Sequence, residues 1–380
     1  MSNNPLPINV AIISDYQGKY SEGFIKAHID YLATCLIPAH QLLWKQTHHF
    51  AQEPGLPGKI KVRFKKLIQS NVINRMEKRK VLRTLQAHDI DVVLAEYGHV
   101  GIIAHELLKE AKIPLVVHFH GIDAYQKRLL QQRKQAYQKM FSYSQGIIAV
   151  SQDMRQQLIG LGASAEKVFY NTYGVDVDRF VQFPPSSSEP HLLAVGRFVD
   201  KKAPYLTILA FQKVLREVPE AQLTMLGDGP LLGVCINIVK SLRLEQSVHL
   251  PGAVGQEQVA SLMQKARVFV QHSIVALSGD SEGTPNTILE AGATGIPVVS
   301  TRHAGIKDVV QHEKTGFLVE EGDIEGMAYY MVQLLRDTAL ADKMGRAAYS
   351  YIHENHRLDQ SLDRLKGILL QATEANKLCQ

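Results

Sequence analysis

Short apolar runs of about four to six residues, the length of a buried strand, alternate along the chain with stretches of helical spacing. The runs are Ile8–Ile13, Val92–Ala95, Pro114–Phe119, Gly146–Ser151, His191–Gly196, Gln222–Gly227, Ala266–Gln271, Ile296–Ser300 and Gly316–Val319. Tyr205–Glu217, Ala328–Leu335 and Leu362–Leu370 carry apolar positions at helical intervals. Buried runs alternating with helices predict βαβ units and parallel sheets covered on both faces, an α/β fold. One segment breaks the pattern. Phe183-Pro184-Pro185-Ser186-Ser187-Ser188-Glu189-Pro190 suits neither helix nor strand interior and reads as a linker. Directly after it, His191–Gly196 repeats the strand-then-turn opening of Ile8–Ser14. Residues 1–183 and 191–355 are therefore expected to form two doubly wound, Rossmann-like domains joined by 184–190. A ligand cleft would lie between them, beyond the carboxyl ends of the strands.

Composition supports this division. A chain of 380 residues suits two domains, and 45% hydrophobic with 21% charged residues is a globular balance. Cys35, Cys235 and Cys379 are too scattered for a disulfide framework or a CxxC metal site, so a reducing, cytoplasmic setting is expected. Met1–Pro7 carries no basic residue, and the run Ile8–Ile13 ends at Ser14-Asp15, which reads as a first buried strand and not a secretory signal. No apolar stretch approaches the ~18 residues of a membrane-spanning helix.

The net charge of +5 is unevenly spread. Lys59–Ile90 holds ten Lys or Arg against Glu77 and Asp89, and Gln126–Met140 adds Lys127, Arg128, Arg133, Lys134 and Lys139 with no acid. Such runs are either solvated helix faces or attractors of an anionic acceptor or lipid surface, where each cation contributes roughly 1 kcal/mol. The second reading would place the protein peripherally at the inner face of the cell membrane. No aromatic-interleaved motif or recognition helix accompanies the basic residues, so nucleic acid is not expected as a partner.

The densest candidate chemistry is Ser278-Gly279-Asp280-Ser281-Glu282-Gly283-Thr284-Pro285-Asn286-Thr287-Ile288-Leu289-Glu290. Gly283 frees the backbone, Thr284 is the expected N-cap and Pro285 the expected first helical residue. The helix start would present free N–H groups and a positive dipole end to a diphosphate, with Glu282 and Glu290 placed to accept hydrogen bonds from sugar hydroxyls. The same residues also fit a capped helix with two incidental glutamates. A second group, Gly196-Arg197-Phe198-Val199-Asp200-Lys201-Lys202, follows a strand, and Arg197 with Lys202 could neutralise a departing nucleotide. Two solvated loop cations are the plain alternative.

Together these segments resemble the retaining GT-B enzymes of glycosyltransferase family 4. Glu282 and Glu290, with seven residues between them, resemble that family's E-x7-E motif, and Gly196, Arg197 and Lys202 its diphosphate clamp. The Ser278–Gly283 lead-in resembles bacterial exopolysaccharide and colanic-acid-type enzymes. His118-Phe119-His120-Gly121-Ile122-Asp123, Gly174-Val175-Asp176 with Phe180, Leu226-Gly227-Asp228-Gly229-Pro230-Leu231 and Gly295-Ile296-Pro297-Val298-Val299 follow in the family's order, over about residues 90–335. The resemblance implies two Rossmann-like domains facing across a cleft, the first completed by a C-terminal helix at about 356–380.

The resemblance also implies roles. Glu290 would bind ribose hydroxyls, Glu282 the donor sugar, and Arg197 and Lys202 the diphosphate, with Gly283, Thr284, Asn286 and Thr287 in the same donor site. His120 would act near the transferred sugar. Transfer from a nucleotide diphosphate sugar to a lipid-linked or saccharide acceptor follows, with no cofactor and no metal expected. The family's glycine-rich loop is represented by one glycine, Gly18, in Gln17-Gly18-Lys19-Tyr20-Ser21-Glu22, and Asp308 stands where many relatives carry Glu. Gly227-Asp228-Gly229 is followed by Gly233, one place late for a dinucleotide fingerprint. Neither Asp89-Ile90-Asp91 nor Asp176-Val177-Asp178 stands where a D-x-D metal motif would be needed, and no zinc spacing occurs among the sixteen histidines. A GT-B sugar phosphorylase or epimerase, or a non-catalytic sugar-binding subunit of an envelope assembly, is the alternative reading.

Overall fold

The computed structural model describes residues 8–14, 23–39 and 75–378. Gly18 with its turn, and the Lys59–Asn74 part of the basic run, lie outside the described residues.

Two six-stranded, wholly parallel sheets carry the molecule. The first contains β1 (Val10–Ser14), β2 (Cys35–Pro38), β3 (Val92–Glu96), β4 (Leu115–His118), β5 (Gly146–Ala149) and β6 (Val168–Tyr170), in the order β2-β1-β3-β4-β5-β6. The second contains β7 (His191–Val195), β8 (Gln222–Leu226), β9 (Val248–Gly252), β10 (Val268–Gln271), β11 (Val298–Thr301) and β12 (Gly316–Val319), in the order β12-β11-β10-β7-β8-β9. Every residue of β1, β3, β4, β5, β10, β11 and β12 is buried, as expected of strands covered on both faces. The apolar pattern does not single out β2, β6 or β9. All three are edge strands, and β2 and β9 each contain a proline, which a central ladder would reject.

In the first half the helices are α1 (Gly23–Leu32), α2 (Arg75–Ala87), α3 (Gly98–Leu108), α4 (Ile122–Tyr125), α5 (Lys127–Tyr143) and α6 (Gln152–Gly160). The second half carries α7 (Pro204–Val214), α8 (Leu232–Ser241), α9 (Gln256–Met263), α10 (Asn286–Thr294), α11 (Ile306–Val309), α12 (Ile324–Arg336) and α13 (Thr338–Asn355). The last helix, α14 (Leu358–Leu378), returns to the first sheet. Its Leu362, Leu365, Leu369 and Ala372 recur at helical spacing and form one buried cluster with Val10, Ile12, Leu94, Val116 and Ile148. Gly174 makes room for that crossing, because a Cβ there would lie 2.4 Å from the Arg357 carbonyl oxygen. Between the sheets, residues 184–190 form a 3₁₀ turn at Pro185–Ser187, where Ser186 N–H donates to Asp342 at 2.8 Å. Among the described residues no helix is long and apolar enough to cross a membrane.

Candidate functional site

Strand order in the second sheet reverses at β7 and β10, and the carboxyl ends of such a pair open a crevice. The segment Gly196–Lys202 leaves β7, and the loop 272–285 leaves β10. Gly227 and Gly229, at φ 138° and 153°, fold the β8 exit tightly around the first of these. A Cβ at Gly227 would stand 1.9 Å from the Gly196 carbonyl oxygen, and Phe198 N–H donates to the Asp228 carbonyl. The Gly-Asp-Gly run thus shapes the loop that presents Arg197. Arg197 itself is exposed and makes no ion pair with a described residue.

Lys202 ends a 3₁₀ turn, and its Nζ lies 3.3 Å from Glu282 Oε1. Its buried neighbour Lys201 donates to the Ser281 carbonyl at 2.9 Å and to Asp280 Oδ1 at 3.2 Å. Burial alone would raise the Glu282 carboxyl, but Lys202 and Lys201 hold it at about 2, so it is ionised at neutral pH. Burial, together with Lys201 and Arg197, lowers Lys202 against the pull of Glu282. The crevice therefore holds a compact set of cations around one buried carboxylate.

The start of α10 differs by one residue from the sequence expectation. Pro285 occupies the N-cap position and Asn286 is the first helical residue. Thr284 does not cap the helix. Its hydroxyl donates to the Val150 carbonyl and lies 3.1 Å from Thr172 Oγ1, both in the first half of the chain. Gly283 is needed for close approach, since a Cβ would meet the His120 carbonyl oxygen at 2.6 Å. Asp308 accepts from Gln152 N–H at 2.8 Å, and Lys307 pairs with Asp153 at the same distance. The loop after β10 is thereby docked against the ends of β4 and β5. Thr287 turns its hydroxyl to Gln271 at 3.4 Å, while Asn286 Oδ1 is buried without a hydrogen bond. Glu290 is buried one turn further along α10.

Across the crevice, His120 belongs to a polar cluster at the carboxyl ends of β3 and β4. Its Nε2 lies 2.8 Å from Glu96 Oε2 and its Nδ1 2.7 Å from the Tyr173 hydroxyl. Glu96, fully buried, also takes His28 Nδ1 at 2.8 Å. Burial opposes its ionisation, but His28, His120 and His118 hold its carboxyl well below the usual range. An ionised carboxylate only accepts, so His120 donates to Glu96 from Nε2. Asp123 pins the turn by accepting from the amides of Gly98, His120 and Gly121 at 2.8–3.0 Å. Tyr97, at φ 76°, packs edge-on to His120 at 4.5 Å, a strained conformation of the kind that clusters at functional sites. His28, Glu96 and His118 have donor atoms within 4.8 Å of one another, the donor set of a metal site. Hydrogen bonds from His28 and His120 engage both Glu96 oxygens, whereas neither ring nitrogen of the buried His118 has a hydrogen-bond partner among the described residues.

With this geometry in place, comparison with known proteins is specific. The profile for glycosyl transferases group 1 matches residues 178–351, and that for glycosyltransferase family 4 matches residues 40–179. A protein named as the colanic acid biosynthesis glycosyltransferase WcaL of Escherichia coli is 30% identical over 288 residues, 74% of this chain and 70% of that protein. The chain belongs to the family 4 glycosyltransferases. The amylovoran biosynthesis glycosyltransferase AmsK of Erwinia amylovora is 29% identical over 66% of this chain; the match spans 62% of AmsK, under two thirds of its length. Among solved structures, Anabaena HepE in complex with UDP superposes with a TM-score of 0.76 at 17% identity, covering 95% of this chain and 99% of HepE. Sucrose-phosphate synthase from Thermosynechococcus elongatus gives 0.71 at 16% identity, over 97% of this chain and all of that one. The fold is GT-B.

In this glycosyltransferase Arg197, Lys202, Glu282 and Gly283 lie on the two segments that flank the β7/β10 crevice, and Asn286 and Glu290 lie on α10, which continues the second. The side chains of Thr284 and Thr287 are turned to other partners, and Gly18 lies outside the described residues. The His120 imidazole does not open onto the crevice in this structure, because its side chain is only 3% exposed and both nitrogens are engaged. Sequence reasoning did not single out Lys201, Glu96, Asp123 or Tyr173. Lys201 is masked by its neighbour Lys202, and Glu96 ends an apolar run like any strand-terminal residue. The Asp123 position was legible in the His-x-His-Gly-x-Asp spacing.

Proposed function

We propose that this glycosyltransferase moves a hexose-type sugar from a nucleotide diphosphate sugar to a lipid-linked or saccharide acceptor of a cell-surface exopolysaccharide, with retention at the anomeric carbon. The observation that carries this reading is the pairing of Arg197 and Lys202 after β7 with Glu282 and the α10 N-terminus after β10, at one switch point. In this reading Arg197, Lys202 and the first amides of α10 receive the diphosphate and stabilise its charge as it leaves, the part a divalent metal would otherwise play. Glu290 takes the ribose hydroxyls and the ionised Glu282 those of the donor sugar. His120 is fixed by Glu96 and Tyr173 across the crevice. The acceptor oxygen bonds to the anomeric carbon on the face from which the phosphate departs. The broken carbon–oxygen pair stays with the phosphate, which takes the acceptor's proton. The protein contributes positioning and charge stabilisation.

The names of the Escherichia and Erwinia relatives support an exopolysaccharide acceptor, and the UDP complex of HepE makes UDP sugars the first donors to test. The exposed Arg79, Lys80 and Arg83 on α2 supply a basic face for an anionic membrane or lipid carrier. Reversing those three charges is expected to weaken binding to phosphatidylserine-containing vesicles, and unchanged binding would return the face to plain solvation.

The decisive experiment is a thermal-shift screen with UDP, GDP and ADP, each with and without a sugar, because ligand binding to the folded state raises the melting temperature. The bound donor is then offered to acceptors. Glu290→Ala and Arg197→Ala are each expected to lower turnover by about 10²–10³-fold with the fold intact. Full activity in either variant would overturn the site.

A further inference from the structure

The loop that carries Glu282 is held by two residues that no motif singles out. In the sheet, Thr301 of β11 stands opposite Val319 of β12. Two residues beyond each, past the strand ends, come His303 and Glu321. His303 is 2% exposed. Its Nε2 lies 3.2 Å from the Glu282 backbone nitrogen and 2.9 Å from Ser281 Oγ, and its Nδ1 faces Glu321 Oε1. A backbone N–H can only donate, so Nε2 is the unprotonated acceptor and the ring proton sits on Nδ1, donated to Glu321. The other oxygen of Glu321 accepts from Val275 N–H at 2.9 Å, near the start of the same loop. Gly322, next to Glu321, donates its N–H to His272 Nε2 at 2.9 Å, which fixes the β12 exit in turn. Gly305 allows this packing, since a Cβ there would stand 2.1 Å from the Gly283 carbonyl oxygen.

The carboxylate–imidazole–amide chain therefore runs from Glu321 through His303 to the main chain of Glu282, while Lys201 holds the Ser281 carbonyl from the other side. We infer that His303 and Glu321 are positioning residues that fix the Glu282 main chain so that its carboxylate faces the donor sugar. The inference rests on the proposed contact between Glu282 and that sugar. Neither residue need touch substrate. Their effect is geometric, and a displacement of about 1 Å in a reacting arrangement can cost about 10²-fold in rate.

The test compares turnover with affinity for the nucleotide diphosphate alone, using whichever of UDP, GDP and ADP binds the parent protein. His303→Leu is expected to lower kcat by about 10²-fold while nucleotide affinity stays within about twofold, because Arg197, Lys202 and Glu290 are untouched. His303→Gln, which places a carbonyl oxygen near the position of Nε2, is expected to recover most of the loss. Glu321→Ala should fall between the two, and it carries the test if His303→Leu does not fold. Unchanged turnover in His303→Leu or Glu321→Ala would overturn the inference, as would parallel losses of turnover and nucleotide affinity without rescue by glutamine. Glu282→Gln, assayed alongside, separates the failures. An active Glu282→Gln sinks the role of Glu282 itself, whereas an inactive one beside a fully active His303→Leu sinks only the positioning role.

Discussion

The carboxyl ends of the two sheets each bury an ionised carboxylate, and they neutralise it in different ways. In the second sheet Glu282 is answered mainly by the ammonium groups of Lys202 and Lys201. In the first, Glu96 is answered by hydrogen bonds from the imidazoles of His28 and His120. The lysines stand where a diphosphate would bring further negative charge, and fixed cations suit such a ligand. The histidine network sits against Tyr173, Phe24 and Tyr97, where stacked rings and shared hydrogen bonds give shape and rigidity more than charge. One wall of the cleft is electrostatic and the other is architectural.

Perturbing each carboxylate's partners separates these roles. The largest effect on chemistry is expected from Lys202→Met, which removes the proposed diphosphate contact and the ion-pair partner of Glu282. Turnover should fall by about 10²-fold or more, with a modest change in melting temperature, as steady-state kinetics and calorimetry would show. The acid limb should also change. Glu282 has a folded pKa below its unfolded value, so its contribution to stability is present above pH 4.5 and is lost as pH falls toward 2. Without Lys202 the depression shrinks, and part of that contribution disappears at neutral pH. Equal acid stability in the variant and the parent would contradict this assignment.

Glu96→Gln should show the opposite balance. It removes a charge that accepts hydrogen bonds from two buried histidines, and such bonds contribute about 1.5–3 kcal/mol each. A clear drop in denaturation midpoint is expected, with a smaller loss of turnover than in Lys202→Met. If Glu96→Gln were as stable as the parent and as inactive as Lys202→Met, the architectural reading of this wall would fail.

The smallest effect concerns the joint between the halves. Burial, with a lesser contribution from Arg364, lowers His356 to about 4, and neither of its ring nitrogens has a hydrogen-bond partner among the described residues. Its folded pKa lies below the unfolded 6.5, so the unfolded chain binds the proton first and stability falls as pH drops from 6.5 toward 4. His272, lowered to about 4 by burial, adds a loss of the same sign. His356→Phe should therefore reduce the pH dependence of the unfolding free energy by about 2 kcal/mol at pH 5. Parallel curves for variant and parent from pH 7 to 5 would remove His356 as a source.

Much of the fold was legible because central parallel strands are buried on both faces and so appear as unbroken apolar runs. Val92–Ala95, which falls within the central β3, is an example. The edge strands β2, β6 and β9 were not; β9 buries only Val248, its other positions being exposed or half-buried, and includes Pro251. Of the candidate site, Glu282, Glu290, Arg197 and Lys202 were visible through spacing and context. Thr284 was misplaced because a Thr-Pro pair before a helix reads locally as cap and first turn, whereas in the structure its hydroxyl is claimed by Val150 from the other half of the chain. His303 and Glu321 could not have been paired from sequence, as nothing local says that β11 and β12 are neighbours in register.

Local composition and periodicity thus sufficed for the α/β class and the run of buried strands, and they nominated candidate phosphate- and hydroxyl-binding residues, because these depend on side-chain type and short-range spacing. Only the tertiary structure brought Lys202 within 3.3 Å of Glu282, eighty positions away, and gave Glu96 two histidines from different elements. Charge, burial and hydrogen-bond direction at those atoms arise from the order of strands in the sheets and the docking of their loops. No window of sequence contains that information.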